Sequence, residues 1–179
     1  MVYFFIAEGF EEIEALCPLD ILRRAKIDVK TVGVGGKAIT GAHGITVMTD
    51  MTDSEFSDDS PTLVFLPGGM PGTLNLMAND TVINTVKTAF DKNAYIAAIC
   101  AAPMILGELG ILSGKEAICY PGFEDKLRGA VISDKRVVVD GKIITAAGMG
   151  AALDMGIALV SLLRDKKTAS DLRRAIIAD

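Results

Sequence analysis

Short apolar, β-branched runs alternate along the chain with longer segments in which apolar residues recur at helical spacing. Val2–Ala7, Val29–Val34, Leu63–Leu66 and Tyr95–Ile99 read as strands. Ala117–Cys119 follows, then a late hairpin pairing Val137–Val139 with Ile143–Ala146 across Asp140-Gly141. The helical period predicts helices over Glu11–Lys26, Val82–Lys92, Pro103–Leu109, Ala151–Arg164 and Lys167–Ala178. Leu63–Leu66 is apolar at every position, the mark of a strand buried on both faces in a parallel sheet covered by helices. Ala38–Met48 stands outside this rhythm and reads as a small extra hairpin. The pattern predicts an α/β fold: one domain over residues 1–179, a three-layer α/β/α sandwich of flavodoxin-like or Rossmann-like kind with a mostly parallel sheet.

Composition narrows the function classes. With 50% hydrophobic and 23% charged residues, the chain is an ordinary folding sequence. Its net charge of −5 disfavours nonspecific binding to phosphate backbones or anionic lipid, so neither nucleic acid nor membrane is expected as a partner. No apolar run approaches the ~20 residues needed to span a bilayer, and Glu8 cuts the first one short, so the expected location is cytoplasmic. Cys17, Cys100 and Cys119 are odd in number and lack C-x-x-C or His/Cys ligand spacing. Free thiols in a reducing compartment, with no metal, explain them better than a disulfide framework.

Sheets of this kind bind ligands beyond the carboxyl ends of their strands. Two strand ends carry unusual chemistry: Leu66-Pro67-Gly68-Gly69 and Ile99-Cys100-Ala101-Ala102-Pro103. A side chain at a sharp strand-to-helix turn is pushed toward the ligand crevice, and a helix N-terminus favours thiolate over thiol. From position alone, Cys100 is either a reactive thiol with a lowered pKa or a buried structural cysteine. Gly68-Gly69 lets backbone N–H groups approach an anion, or simply makes a tight turn.

Glu14 shares a helical stripe with Cys17, Pro18, Ile21 and Ala25 and so points at the core, where an unpaired carboxyl holds its proton. A satisfied structural carboxylate, or a register shifted by Pro18, is the alternative. Glu11 and Glu12 read as a solvated first turn. The run Gly33 to Lys37 lacks the features of a dinucleotide fingerprint or a P-loop, and the eight Met residues read as core filling. His43 is the only histidine, so a Cys-His-acid triad requires it; its plainer role is at a surface or an interface.

Four motifs in order resemble the ThiJ/PfpI superfamily, in the branch of the parkinsonism-associated DJ-1 and its bacterial homologues. They are Ala7 to Glu14, Leu66 to Gly69, Ala97 to Pro103 and Thr145 to Gly150. The resemblance implies a homodimer in which Cys100 is the reactive cysteine and Glu14 hydrogen-bonds its thiol or sulfinate. Gly69 and Ala101 supply the oxyanion-hole amides. It further implies a cofactor-free deglycase or glyoxalase acting on 2-oxoaldehydes or their adducts, or alternatively a redox-responsive chaperone; a thiazole-biosynthesis label also circulates. Gly68, Tyr120 and His43 are the remaining expected pocket residues. Tyr120 stands where some members have histidine and is too weak a base at neutral pH to inherit that role. Ala101 replaces the histidine of PfpI-like proteases, and the glutamine amidotransferase pattern is missing.

Overall fold

The computed structural model describes residues 1–178. In chain order the first half contains β1 (Val2–Ile6), α1 (Glu12–Arg24), β2 (Val29–Gly33), β3 (Ala38–Thr40), β4 (Thr46–Met48), β5 (Met51–Thr52) and β6 (Leu63–Leu66). Then come α2 (Gly72–Met77), α3 (Asp80–Asp91), β7 (Tyr95–Ile99), α4 (Pro103–Glu108), β8 (Glu116–Ala117) and β9 (Val131–Ile132). The chain continues through β10 (Val137–Asp140), β11 (Ile143–Ala146), α5 (Ala152–Leu163) and α6 (Lys166–Ala175).

Seven strands form one sheet in the order β10-β11-β7-β6-β1-β2-β5. Every pairing is parallel except β10 with β11. Strand residues alternate between two apolar layers. Phe4, Phe65, Ala97 and Ile144 face one layer with Leu19 and Leu22 of α1 and Met155 and Leu159 of α5. Phe5, Val64, Leu66 and Ile96 face the other with Val82 and Val86 of α3 and Ile105 of α4. Both faces are covered, the physical reason the central strands read as continuous apolar runs.

The α/β class, the mostly parallel sheet, the late hairpin and the small β3–β4 hairpin match the sequence reading. Ala117–Cys119 does not. Only Glu116–Ala117 is a strand, and it pairs with β9 in a separate two-stranded ribbon. Helix α1 also begins one residue later than predicted, because Glu11 has extended backbone and caps it by accepting a bond from the Glu14 amide. Pro18 lies inside α1 and the helix runs through it; Gly156 of α5 packs there against Pro18 and Ile21, where a Cβ would crowd both.

β1 leads to β2 on one side while β6 pairs on its other side, so the order reverses between β1 and β6. The loops leaving the carboxyl ends of β1, β6 and β7 meet at this crevice, the place where open α/β sheets bind ligands.

Candidate active site

The last residue of β7 is Ile99, and Cys100 turns the chain toward α4 with φ of 64°. A non-glycine residue in the left-handed region carries strain of order 1–3 kcal/mol and persists only where its surroundings hold it. Here the Cys100 amide donates to the Ala146 carbonyl at 2.9 Å, and its carbonyl accepts from the Tyr120 amide at 2.8 Å. The side chain is half-buried.

Glu14 approaches from α1 and is 1% exposed. Its Oε2 accepts from the Gly68 amide at 3.0 Å. A Cβ on Gly68 would lie 2.5 Å from Glu14 Oε2 and 2.6 Å from Cys100 Cβ, so only glycine fits between the two side chains. Gly69 follows at φ of 91°, where a Cβ would strike the Phe10–Glu11 backbone. This turn aims the Gly69 amide, together with that of Ala101, at the Cys100 sulfur. Across Gly68 the Glu14 carboxyl adjoins Cys100 and acts on the titration of its thiol.

The electrostatics depart from the sequence reading of a lowered thiol pKa. Burial raises the thiol, and the charge and hydrogen bond of Glu14 raise it further; the Ala101 and Gly69 amides oppose this with less effect. α4 spans only six residues and starts at Pro103, so its dipole does not outweigh desolvation. Glu14 is pushed up to about 7, chiefly by burial, against the lowering hydrogen bonds of Cys100, Gly68 and Met149. Both groups therefore favour their protonated forms, and Cys100 does not rest as a free thiolate.

Tyr120 lies at the rim, 52% exposed. The buried Thr145 side chain accepts from the Ile118 amide at 3.0 Å, which fixes the segment leading to Tyr120. Within the chain, His43 does not join the Cys100 pocket. Its ring is 70% exposed, and Nδ1 pairs with Glu12 Oε2 at 2.8 Å. The expectation of a solvated Glu12 is overturned: it is 2% exposed and also accepts from the His43 and Ile45 amides. Sequence reading missed this residue, because its partner lies at the tip of the β3–β4 hairpin. Glu11, Glu12 and His43 each bring a possible metal-ligand atom within 4.8 Å of the others, though capping and pairing bonds already engage these groups.

Comparison with known proteins agrees with this fold. A structure of a DJ-1 superfamily protein from Salmonella typhimurium superposes with a TM-score of 0.94 at 34% identity, covering 99% of this chain and 98% of that one. The chain is 35% identical to protein DJ-1 homolog B of Arabidopsis thaliana over 96% of its own length, and it spans only 40% of that relative. It is 32% identical to a deglycase of Pyrococcus abyssi, over 78% of this chain and 85% of the relative. The DJ-1/PfpI family profile matches residues 1–162, and the chain belongs to the DJ-1/PfpI family.

Proposed function

We propose that the protein is a cysteine-dependent, cofactor-free deglycase or glyoxalase that converts 2-oxoaldehydes or their adducts to 2-hydroxy acids. The observation that carries this reading is the buried Glu14 carboxyl set against Cys100, with the Gly69 and Ala101 amides on the same sulfur. A carboxyl near neutrality can both accept and return a proton. In the proposed sequence, Glu14 takes the thiol proton as sulfur bonds to the aldehyde carbon. The oxyanion develops against the two amides, a contribution of about 3 kcal/mol, and receives that proton. Glu14, again ionised, removes the hydrogen from the same carbon and delivers it to the neighbouring carbonyl carbon, while the hydroxyl proton passes from the first oxygen to the second. The first carbon thereby becomes a thioester carbonyl on Cys100 and the second carries the hydroxyl. Water cleaves the thioester, releasing the 2-hydroxy acid and the thiol. The relative named as a deglycase supports the deglycase reading.

Turnover of methylglyoxal by wild type and Cys100→Ser tests the proposal. Wild-type activity lost in the variant supports it, and full activity in the variant refutes it, because a hydroxyl cannot stand in for the thiol here.

A redox-sensing chaperone is the second reading. It is favoured by the same two amides, which would stabilise a sulfinate on Cys100. For the homodimer implied by the family, exposed Ile13, Ile45 and Met48 around the Glu12–His43 pair offer an apolar seam. Light scattering at micromolar concentration decides it.

A further inference from the structure

We propose that a cavity beside the Glu14–Cys100 pair holds the non-reacting part of a carboxylate-bearing thiol adduct, and that Arg136 selects its negative charge. The proposal deepens the thiol chemistry above and rests on it for the reacting end of the ligand.

The cavity measures about 440 Å³ and is walled by Tyr120, Arg136 and the loop from Ala147 to Ala151. It shares a wall with the reactive pair. A Cβ on Gly148 would lie 3.3 Å from the Tyr120 ring and 3.8 Å from Glu14 Oε1. The Tyr120 amide bonds the Cys100 carbonyl at 2.8 Å. A free 2-oxoaldehyde of a few heavy atoms would fill a small part of this space; cavities of roughly 300–1,000 Å³ take much larger molecules. The lining is largely apolar, with Tyr120 and Met149 both about half exposed, as suits the body of an adduct.

Arg136 is the one charged residue on that lining. Its guanidinium donates to the Gly150 carbonyl and stands 3.7 Å from Asp154, which fixes its position. Asp154 is also bound by Arg173 at 2.8 Å. One carboxylate between two guanidiniums leaves a net positive rim. The Arg136 side chain is 66% exposed, and a guanidinium has five N–H donors, so it retains donors for a bidentate carboxylate. A cationic ligand would find no carboxylate on the lining itself, and the one at the rim, Asp154, is already held by two guanidiniums.

Binding is measured by calorimetry on the full-length Cys100→Ser chain with two unreactive probes of equal size: the acetonyl thioether of mercaptopropionate and that of mercaptopropanol. The anionic probe is expected to bind about fivefold more tightly, the scale of a solvent-exposed charge pair. That preference should shrink in high salt, vanish when Arg136→Gln is added, and partly survive Arg136→Lys. Equal binding of the two probes, no binding of either, or a preference that persists in Arg136→Gln overturns the proposal. Turnover of 2-oxoaldehydes is read separately on the wild type. Discrimination without turnover sustains the anion site and removes the thiol chemistry, whereas turnover without discrimination does the opposite.

Discussion

Glu12 and Glu14 stand two residues apart on α1, are 2% and 1% exposed, and titrate in opposite directions. Burial works to raise both. At Glu12 it is outweighed by the His43 side chain and by the amides of His43 and Ile45, and the carboxylate falls below its ordinary range. At Glu14 the partners are a thiol and two amides, the Glu11 charge adds to burial, and the carboxyl rises to about 7. Neither carboxyl meets much solvent, yet Glu12 lies just beneath the exposed His43 ring whereas Glu14 lies deep beside Cys100. Depth and partner together make Glu12 a structural anion and leave Glu14 near neutrality, as the proton-carrying role proposed for it requires.

Substitution at the two carboxyls should separate these roles most sharply in turnover. Glu14→Gln keeps shape and much of the hydrogen bonding but cannot move a proton, and it should reduce 2-oxoaldehyde turnover by roughly 10² or more. His43→Gln should be nearly silent in the same assay. Reversed effects, with a pH limb above the usual imidazole value, would make His43 the proton carrier and end the comparison as drawn.

Stability against pH gives the next largest difference. The folded chain holds the Glu14 proton more tightly than the unfolded chain, whose carboxyl titrates near 4.5. Its stabilising contribution is present in full below that value and is lost as pH rises through about 7, for a change of roughly 3 kcal/mol. Urea unfolding at several pH values should show this slope in the wild type and its loss in Glu14→Gln. Glu12 behaves oppositely: its contribution is present above the ordinary carboxylate value and lost only as pH falls through a lower one. Glu12→Ala should cost about 2 kcal/mol at neutral pH, because the His43 and Ile45 amides lose their acceptor.

Thiol labelling sharpens the account of the pair. Because the Glu14 charge opposes thiolate formation, Glu14→Gln should make Cys100 alkylate several-fold faster at neutral pH even as turnover falls. Peptide mapping after limiting iodoacetamide reads all three cysteines; Cys119 is buried, and its rate should not change. A Cys100 rate that is unchanged or slower would show that Glu14 does not act on the sulfur.

The smallest expected effect lies at the hairpin. His43 titrates above the usual imidazole value because of its bond to Glu12 and then the charge of Glu12. In Glu12→Gln, NMR titration should place it back toward ~6.5. Persistence of the raised value would assign it to some other group.

Much of the site is legible in local pattern. The apolar run ending at Ile99, followed by Pro103, marks the elbow that presents Cys100, and the helical stripe with Ile21 and Ala25 turns Glu14 inward. The glycines after Leu66 mark a turn, although only the structure shows that Gly68 must be bare to fit between Glu14 and Cys100. Helix α2 and the two-residue strands β5 and β9 are too short to leave a period.

By itself the sequence determined the alternation of strands and helices, the parallel buried sheet and the placing of Cys100 and Glu14, because each follows from the spacing of apolar residues within one element. Tertiary structure decided the electrostatics. Glu12 is an anion because a hairpin tip 31 residues away donates to it, and Glu14 rises toward neutrality because its burial outweighs the bond from the Gly68 amide 54 residues away. The thiol rises instead of falling because desolvation depends on everything packed around the sulfur, whereas the helix start that suggested the opposite is a local feature.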